Sequence, residues 1–206
     1  MTPVPDLWSI VLAGVWNPAV FSPQWITNDN LTAAKGLEVR FDVSNPRGSL
    51  EFNFDGIRLL PSGNRVQLKP ASIEPPNLQT LSTVADRILS KLPETPVSAV
   101  GFNFGFEDPQ PAPEVLTRFR LSDDDRITDA GWAVEGRQFK RTLRKEQETI
   151  NLVLELTPKA SFKLSYNFHY KVQTAAEAKA IIQTSVTTRL DAAKALYRIL
   201  FSSDLL

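Results

Sequence analysis

Three short segments of this chain repeat one pattern: Phe52-Asn53-Phe54, Phe102-Asn103-Phe104 and Tyr166-Asn167-Phe168. Successive side chains of a β-strand point to opposite faces, so each triplet sets two rings on one side and an amide on the other. A chain that does this three times needs a sheet with one aromatic face, and that face must be covered by other elements.

The neighbouring segments carry the same alternation. Leu37, Val39, Phe41 and Val43 alternate with Glu38, Arg40 and Asp42, and Leu50, Phe52 and Phe54 alternate with Glu51 and Asn53. Between them Asn45-Pro46-Arg47-Gly48 reads as a hairpin turn. Asp55-Gly56 and Pro61-Ser62-Gly63-Asn64 are further turns, the second setting residues 57–60 against 65–68. Residues 97–106 form a strand with Val100, Phe102, Phe104 and Phe106 on one face. Its other face, Ala99, Gly101, Asn103 and Gly105, is small enough for the preceding helix to pack closely. Later inward rows are Ile150, Leu152, Leu154 and Leu156, then Phe162, Leu164, Tyr166, Phe168, Tyr170 and Val172. The strand from Trp132 to Leu143 changes phase near Gly136, which a β-bulge would absorb. Residues 8–16 are apolar on both strand faces and read as a central strand covered on both sides.

Helices fill the gaps. Ser22-Pro23 opens a short one through Trp25, and a second spans about Leu31 to Lys35 before Gly36. Leu78, Leu81, Val84, Ala85, Ile88, Leu89 and Leu92 keep helical spacing, with Asn77 as cap and Pro93 as stop. Residues 114–119 make a helical turn, and the acidic residues 122–130 are exposed. Thr174-Ala175-Ala176-Glu177 is a capping box that opens a long carboxy-terminal helical region, broken near Ser185-Val186-Thr187-Thr188. The expected fold is therefore α+β: a mostly antiparallel sheet in two meander-like halves with helices packed on one face. The 206 residues suit one domain, with possible sub-lobes 1–107 and 114–206 joined by the proline-rich residues 108–113.

The pattern says more about fold than about chemistry. Lys+Arg 23 and Asp+Glu 23 cancel, so no global field draws in nucleic acid or an anionic membrane, and nothing strongly opposes self-association. Without cysteine there are no disulfides, thiolates or sulfur-bound metals. The apolar run 8–16 is about half the ~20 residues of a membrane helix, and the amino terminus lacks the basic stretch of a signal peptide. A cytoplasmic location without membrane contact is expected.

His169, the one histidine, is placed on the polar face of a strand between Asn167 and Lys171, and no nucleophile-elbow motif occurs. Asp123, Asp124 and Asp125 are adjacent and would point apart rather than converge on a cation. The glycines of Gly101-Phe102-Asn103-Phe104-Gly105 lie within a strand, where no phosphate loop forms. An enzyme would have to use carboxylates such as Glu135, Asp124 and Asp125. The expectation is a non-enzymatic protein with no catalytic residue, no metal and no cofactor.

Three binding readings remain. Trp16, Phe21 and Trp25, stiffened by Pro18 and Pro23, are anchors for a protein partner or a second copy, or else plug one end of the sheet. Arg137, Lys140, Arg141, Arg144 and Lys145 form the one basic concentration, suited to single-stranded nucleic acid if rings stand beside it. Asn53, Asn103 and Asn167 would converge in a small-molecule or peptide pocket between sheet and helix. Tyr197, Leu200, Phe201, Leu205 and Leu206 dock on the sheet or on a second subunit.

Overall fold

The computed structural model describes residues 1–28, 31–32, 36–42, 49–159, 161–184, 186–201 and 205. Among these the strands are β1 (Thr2–Pro3), β2 (Ser9–Gly14), β3 (Glu38–Asp42), β4 (Ser49–Phe54), β5 (Ile57–Pro61), β6 (Arg65–Pro70), β7 (Val97–Asp108), β8 (Arg137–Lys145), β9 (Glu148–Leu156) and β10 (Phe162–Lys171). They form one antiparallel sheet of ten strands in the order β3-β4-β5-β6-β2-β7-β10-β9-β8, with β1 on β7 beyond the end of β2. The fold is α+β, as the alternation requires. β3 to β6 and β8 to β10 are the two meanders, and β7 pairs with β2 on one side and β10 on the other. The sheet therefore continues unbroken past the proline-rich residues 108–113.

Local chemistry accounts for the turns. Asp55 and Gly56 have φ of 47° and 72°, the left-handed pair whose twist matches a two-residue hairpin. Pro75 opens the 17-residue helix α2 (Pro75–Lys91), where its missing N–H costs nothing. Asn77, expected as the cap, instead lies in the first turn and donates to Ser72 Oγ at 2.8 Å.

The remaining helices are α1 (Pro23–Asn28), α3 (Pro113–Thr117), α4 (Asp124–Asp129), α5 (Ala175–Gln183) and α6 (Val186–Phe201). Thr174 Oγ1 accepts from Glu177 N–H at 3.1 Å at the start of α5. α2 packs on α5, and with α6 they cover the aromatic face of the sheet. There Phe52, Phe102, Phe106 and Phe168 are fully buried, and Phe104–Phe168 and Phe102–Tyr170 meet edge to face at 5.8 and 6.1 Å. The cation of Arg189, buried on α6, lies 4.7 Å from the Phe102 ring, and its Nε donates to Tyr170 Oη at 3.2 Å.

Four expectations are corrected. β2 is central, between β6 and β7, but helices cover only its Ile10 and Leu12 face, leaving Val11 and Ala13 half-buried on the other. The small-residue face of β7 is not where α2 packs. α2 lies on the other side of the sheet over β2, β5 and β6, the helices on β7 are α5 and α6, and the close approach at Gly105 comes from Leu7 in a 3-10 turn. No bulge forms at Gly136, because β8 begins only at Arg137 and residues 132–136 are not strand. Asp124, in the stretch expected to be exposed, is buried beneath Arg137.

The expected turn at 45–48 and Val43, the helical residues 33–35, Ser185 and Leu206 lie outside the described residues. Leu31 and Thr32 are described and are not helical. Tyr197 and Leu205 are buried, with Leu200 and Phe201 packed against the same core.

Candidate functional site

Helices occupy one face of the sheet, and on the other the sole covering segment among the described residues is the 3-10 turn Pro5–Leu7. The turn interrupts what would otherwise be one strand from β1 to β2. It is held by Val4 N–H and Trp8 Nε1, both donating to Gly105 O at 2.9 Å. A Cβ on Gly105 would lie 2.4 Å from Leu7 Cβ, so glycine is what admits the turn. Lys69 Nζ donates to Asp6 O at 2.9 Å and Arg58 forms an ion pair with the Asp6 carboxylate. The hydrogen bond and charge of Arg58 hold that carboxyl below its usual value.

Beside the turn, one side-chain row crosses the sheet. Thr142 Oγ1 donates to Asn151 Oδ1 at 3.2 Å, Asn151 Nδ2 to Asn167 Oδ1 at 3.1 Å, and Asn167 Nδ2 to Asn103 Oδ1 at 2.8 Å. Asn103 Nδ2 then donates to Ser9 Oγ at 3.0 Å, which also accepts from Gln67 Nε2 at 3.2 Å. The row spans β8, β9, β10, β7, β2 and β6. Its first five members stand directly opposite one another in the strand register, and Gln67 joins from a diagonal position.

A side-chain amide has two donor hydrogens and two acceptor lone pairs. Within the row Asn103, Asn151 and Asn167 each use one of either kind, and each keeps one donor and one acceptor for something else. Five of the row's members, with Asp6, Lys69 and Ser165, line a depression of about 380 Å³ under the turn.

The three asparagines therefore part company. Asn103 and Asn167 are bonded neighbours in this depression, on the open face rather than between sheet and helix. Asn53 lies on the outlying β4, where its Nδ2 donates to Glu51 Oε1 at 3.1 Å. Ser9, Gln67, Thr142 and Asn151 belong to the site without having been singled out. The signal for Thr142 and Asn151 was the hairpin register, which places both opposite the triplet asparagine.

The amino-terminal rings form a plug. Trp16 and Phe21 are buried, Trp16 Nε1 donates to Leu12 O at 3.0 Å, and Phe21 meets the half-buried Trp25 edge to face at 5.2 Å. Burial leaves Trp16 and Phe21 no surface to offer as free anchors.

The basic strand is divided by its own alternation. Lys140 and Arg144 project with Thr142 onto the open face, and Arg141 and Lys145 share the opposite face with Phe139 and Leu143. Arg137 is engaged by Asp124 at 2.5 Å. Burial pushes the Asp124 carboxyl up, but hydrogen bonds from Leu121 N–H and Arg137, with the charges of Arg137 and Arg120, outweigh it and hold the group below its usual value. The rings of the two central triplets lie on the helix-covered face, so they cannot stack on a base at the open one.

His169 lies on the open face opposite Gly101 and Thr149. Among the described residues no group of three or more His, Asp or Glu side chains is arranged to hold a metal ion. No described helix is long and apolar enough to cross a membrane.

No family model matches this chain, and neither the curated proteins nor the solved structures contain a significant match.

Proposed function

We propose that this is a non-enzymatic protein-binding protein whose partner lies across the open face of the sheet. The observation that carries the reading is the hydrogen-bonded row from Thr142 to Gln67, with the unused donor and acceptor on each of its three asparagines. Strand spacing sets these amides about 4.8 Å apart. Each can hydrogen-bond a peptide group of a partner chain through one N–H and one C=O contact, since a side-chain amide carries the same donor and acceptor types as the backbone. Leu7, Val11 and Val153 supply apolar contact on either side of the row. A cytoplasmic location belongs to the same proposal, since a chain without cysteine draws nothing from an oxidising compartment.

A second reading, a small polar ligand in the depression, is favoured by its volume of about 380 Å³, which falls in the range of small-molecule sites. Single-stranded nucleic acid has less support, because His169 is the one aromatic ring among the described strand residues of this face.

The test uses three baits in nuclease-treated native extract: wild type, Ser165→Arg, which fills the depression, and Ile199→Arg, on an exposed helical position. A stoichiometric protein recovered with wild type and Ile199→Arg but lost with Ser165→Arg, at equal melting temperatures, supports the proposal. Identical recovery by all three baits, or recovery only before nuclease, contradicts it.

A further inference from the structure

The two outermost strands, β3 and β8, have no strand paired to their outer edges among the described residues. Such an edge presents a row of free backbone donors and acceptors, and proteins that stay apart guard it with charge. β8 is guarded. A two-fold pairing of β8 centred on Arg141 would set Arg141 against itself and Arg137 against Lys145.

β3 differs. Its sequence is Glu38-Val39-Arg40-Phe41-Asp42, with Val39 and Phe41 on the helix-side face, yet the helices do not reach them: Val39 is 42% and Phe41 63% exposed. Glu38 and Arg40 share the open face and form an ion pair within the strand at 3.0 Å.

A two-fold antiparallel pairing of β3 with a second β3, centred on Val39, satisfies both faces at once. Opposite residues in an antiparallel pair share a face, so Glu38 of each copy meets Arg40 of the other. On the other face Val39 meets Val39 and Phe41 meets Leu37. A register centred on Arg40 would instead set Arg40 against itself and Glu38 against Asp42. The charges thus exclude the register centred on Arg40, and the one centred on Val39 pairs opposite charges and apolar residues wholly within the described residues 37–41.

We infer that the protein dimerises edge to edge through β3 in this register, joining two sheets into one. The interface closes on itself by two-fold symmetry and so does not propagate into a fibre. It is separate from the open-face row, and neither proposal depends on the other.

The chain contains no cysteine, so an introduced one reports a single contact. Sedimentation of the wild-type protein should show a concentration-dependent monomer–dimer equilibrium, and Val39→Cys should form a disulfide dimer under mild oxidation. Arg40→Glu sets acidic groups opposite each other twice per dimer and should raise the dissociation constant roughly tenfold. The charge swap Glu38→Arg with Arg40→Glu should restore it. Val39→Lys should leave a folded monomer, since the position is exposed at a sheet edge.

A wild-type protein that stays monomeric at all concentrations overturns the inference. So does a dimer unchanged by Val39→Lys. Cross-linking through Phe41→Cys but not Val39→Cys overturns the register, and higher oligomers that grow with concentration overturn the two-fold closure.

Discussion

Asn167 on β10 stands directly opposite Asn103 on β7 and donates its amide hydrogen to Asn103 Oδ1 at 2.8 Å. The two central aromatic-Asn-Phe triplets are thus cross-strand partners, Tyr166 facing Phe104 and Phe168 facing Phe102. One register sorts rings to the core and amides to the open face. A slip by one residue would exchange the two sets, so the buried rings enforce the alignment of the amides.

Asn167→Ala removes two bonds of the row, to Asn151 and Asn103. Both neighbours are half-buried and can turn to water, so the expected loss of stability is about 1–2 kcal/mol by urea denaturation. Phe168→Ala, at a fully buried ring, should cost about 3–5 kcal/mol. If the two substitutions cost the same, the row is a structural device and not a working surface.

Gly105→Ala should displace the turn that walls the depression. The added methyl would meet Leu7 Cβ at 2.4 Å, and shifting the turn endangers the bonds from Val4 N–H and Trp8 Nε1 to Gly105 O. A destabilisation of about 1–3 kcal/mol is expected, with faster hydrogen exchange at Val4 and Trp8. Wild-type exchange rates in the variant would show that the approach is looser than described.

Trp16→Ala should behave as a core truncation, lowering stability by about 3–5 kcal/mol, because the ring is buried and its indole N–H is bonded to Leu12 O. Trp25→Ala, at a half-buried ring, should cost less. Urea denaturation of both variants decides between plug and anchor: a Trp16→Ala protein as stable as wild type would return the amino-terminal rings to the list of interface candidates.

The Asp124–Arg137 pair makes an acid-side prediction. The folded Asp124 carboxyl lies below its ordinary value of 3.8, so it releases its proton more readily in the folded chain than in the unfolded one. Its stabilising contribution is complete above that ordinary value and is lost as pH falls through the lower, folded-state value. Asp124→Asn should therefore lower the melting temperature at neutral pH and flatten the decline of stability at acid pH. Parallel acid-side slopes for wild type and variant would refute this.

How much of this was legible in the sequence follows from how far apart the paired residues lie. Thr142, Asn151 and Asn167 are joined by two hairpins with short connections, so their alignment follows from alternation and turn position alone. The pairing of β7 with β10 spans 64 residues between Asn103 and Asn167, and that of β7 with β2 spans 94 between Asn103 and Ser9. Alternation says which face each residue takes but not which strand lies alongside.

The same limit explains the misplaced helix contact at Gly105. Small residues signal a close neighbour without naming it, and the neighbour was Leu7 in a turn of three residues. Asn53 carries the same triplet as Asn103 but lies on β4, beyond β5, β6 and β2, a separation that only the strand order reveals.

The central claim, that the open face is the working surface, is tested most directly by site-specific photo-cross-linking. A photoreactive residue replaces Val153, which lines the depression without belonging to the row, and in a second protein replaces Ile199, 77% exposed on the helical side. Both are irradiated in nuclease-treated native extract and read by mass spectrometry. A discrete adduct to one protein from Val153, with none from Ile199, is the predicted result. No adduct from Val153, or the same adducts from both positions, would contradict the account.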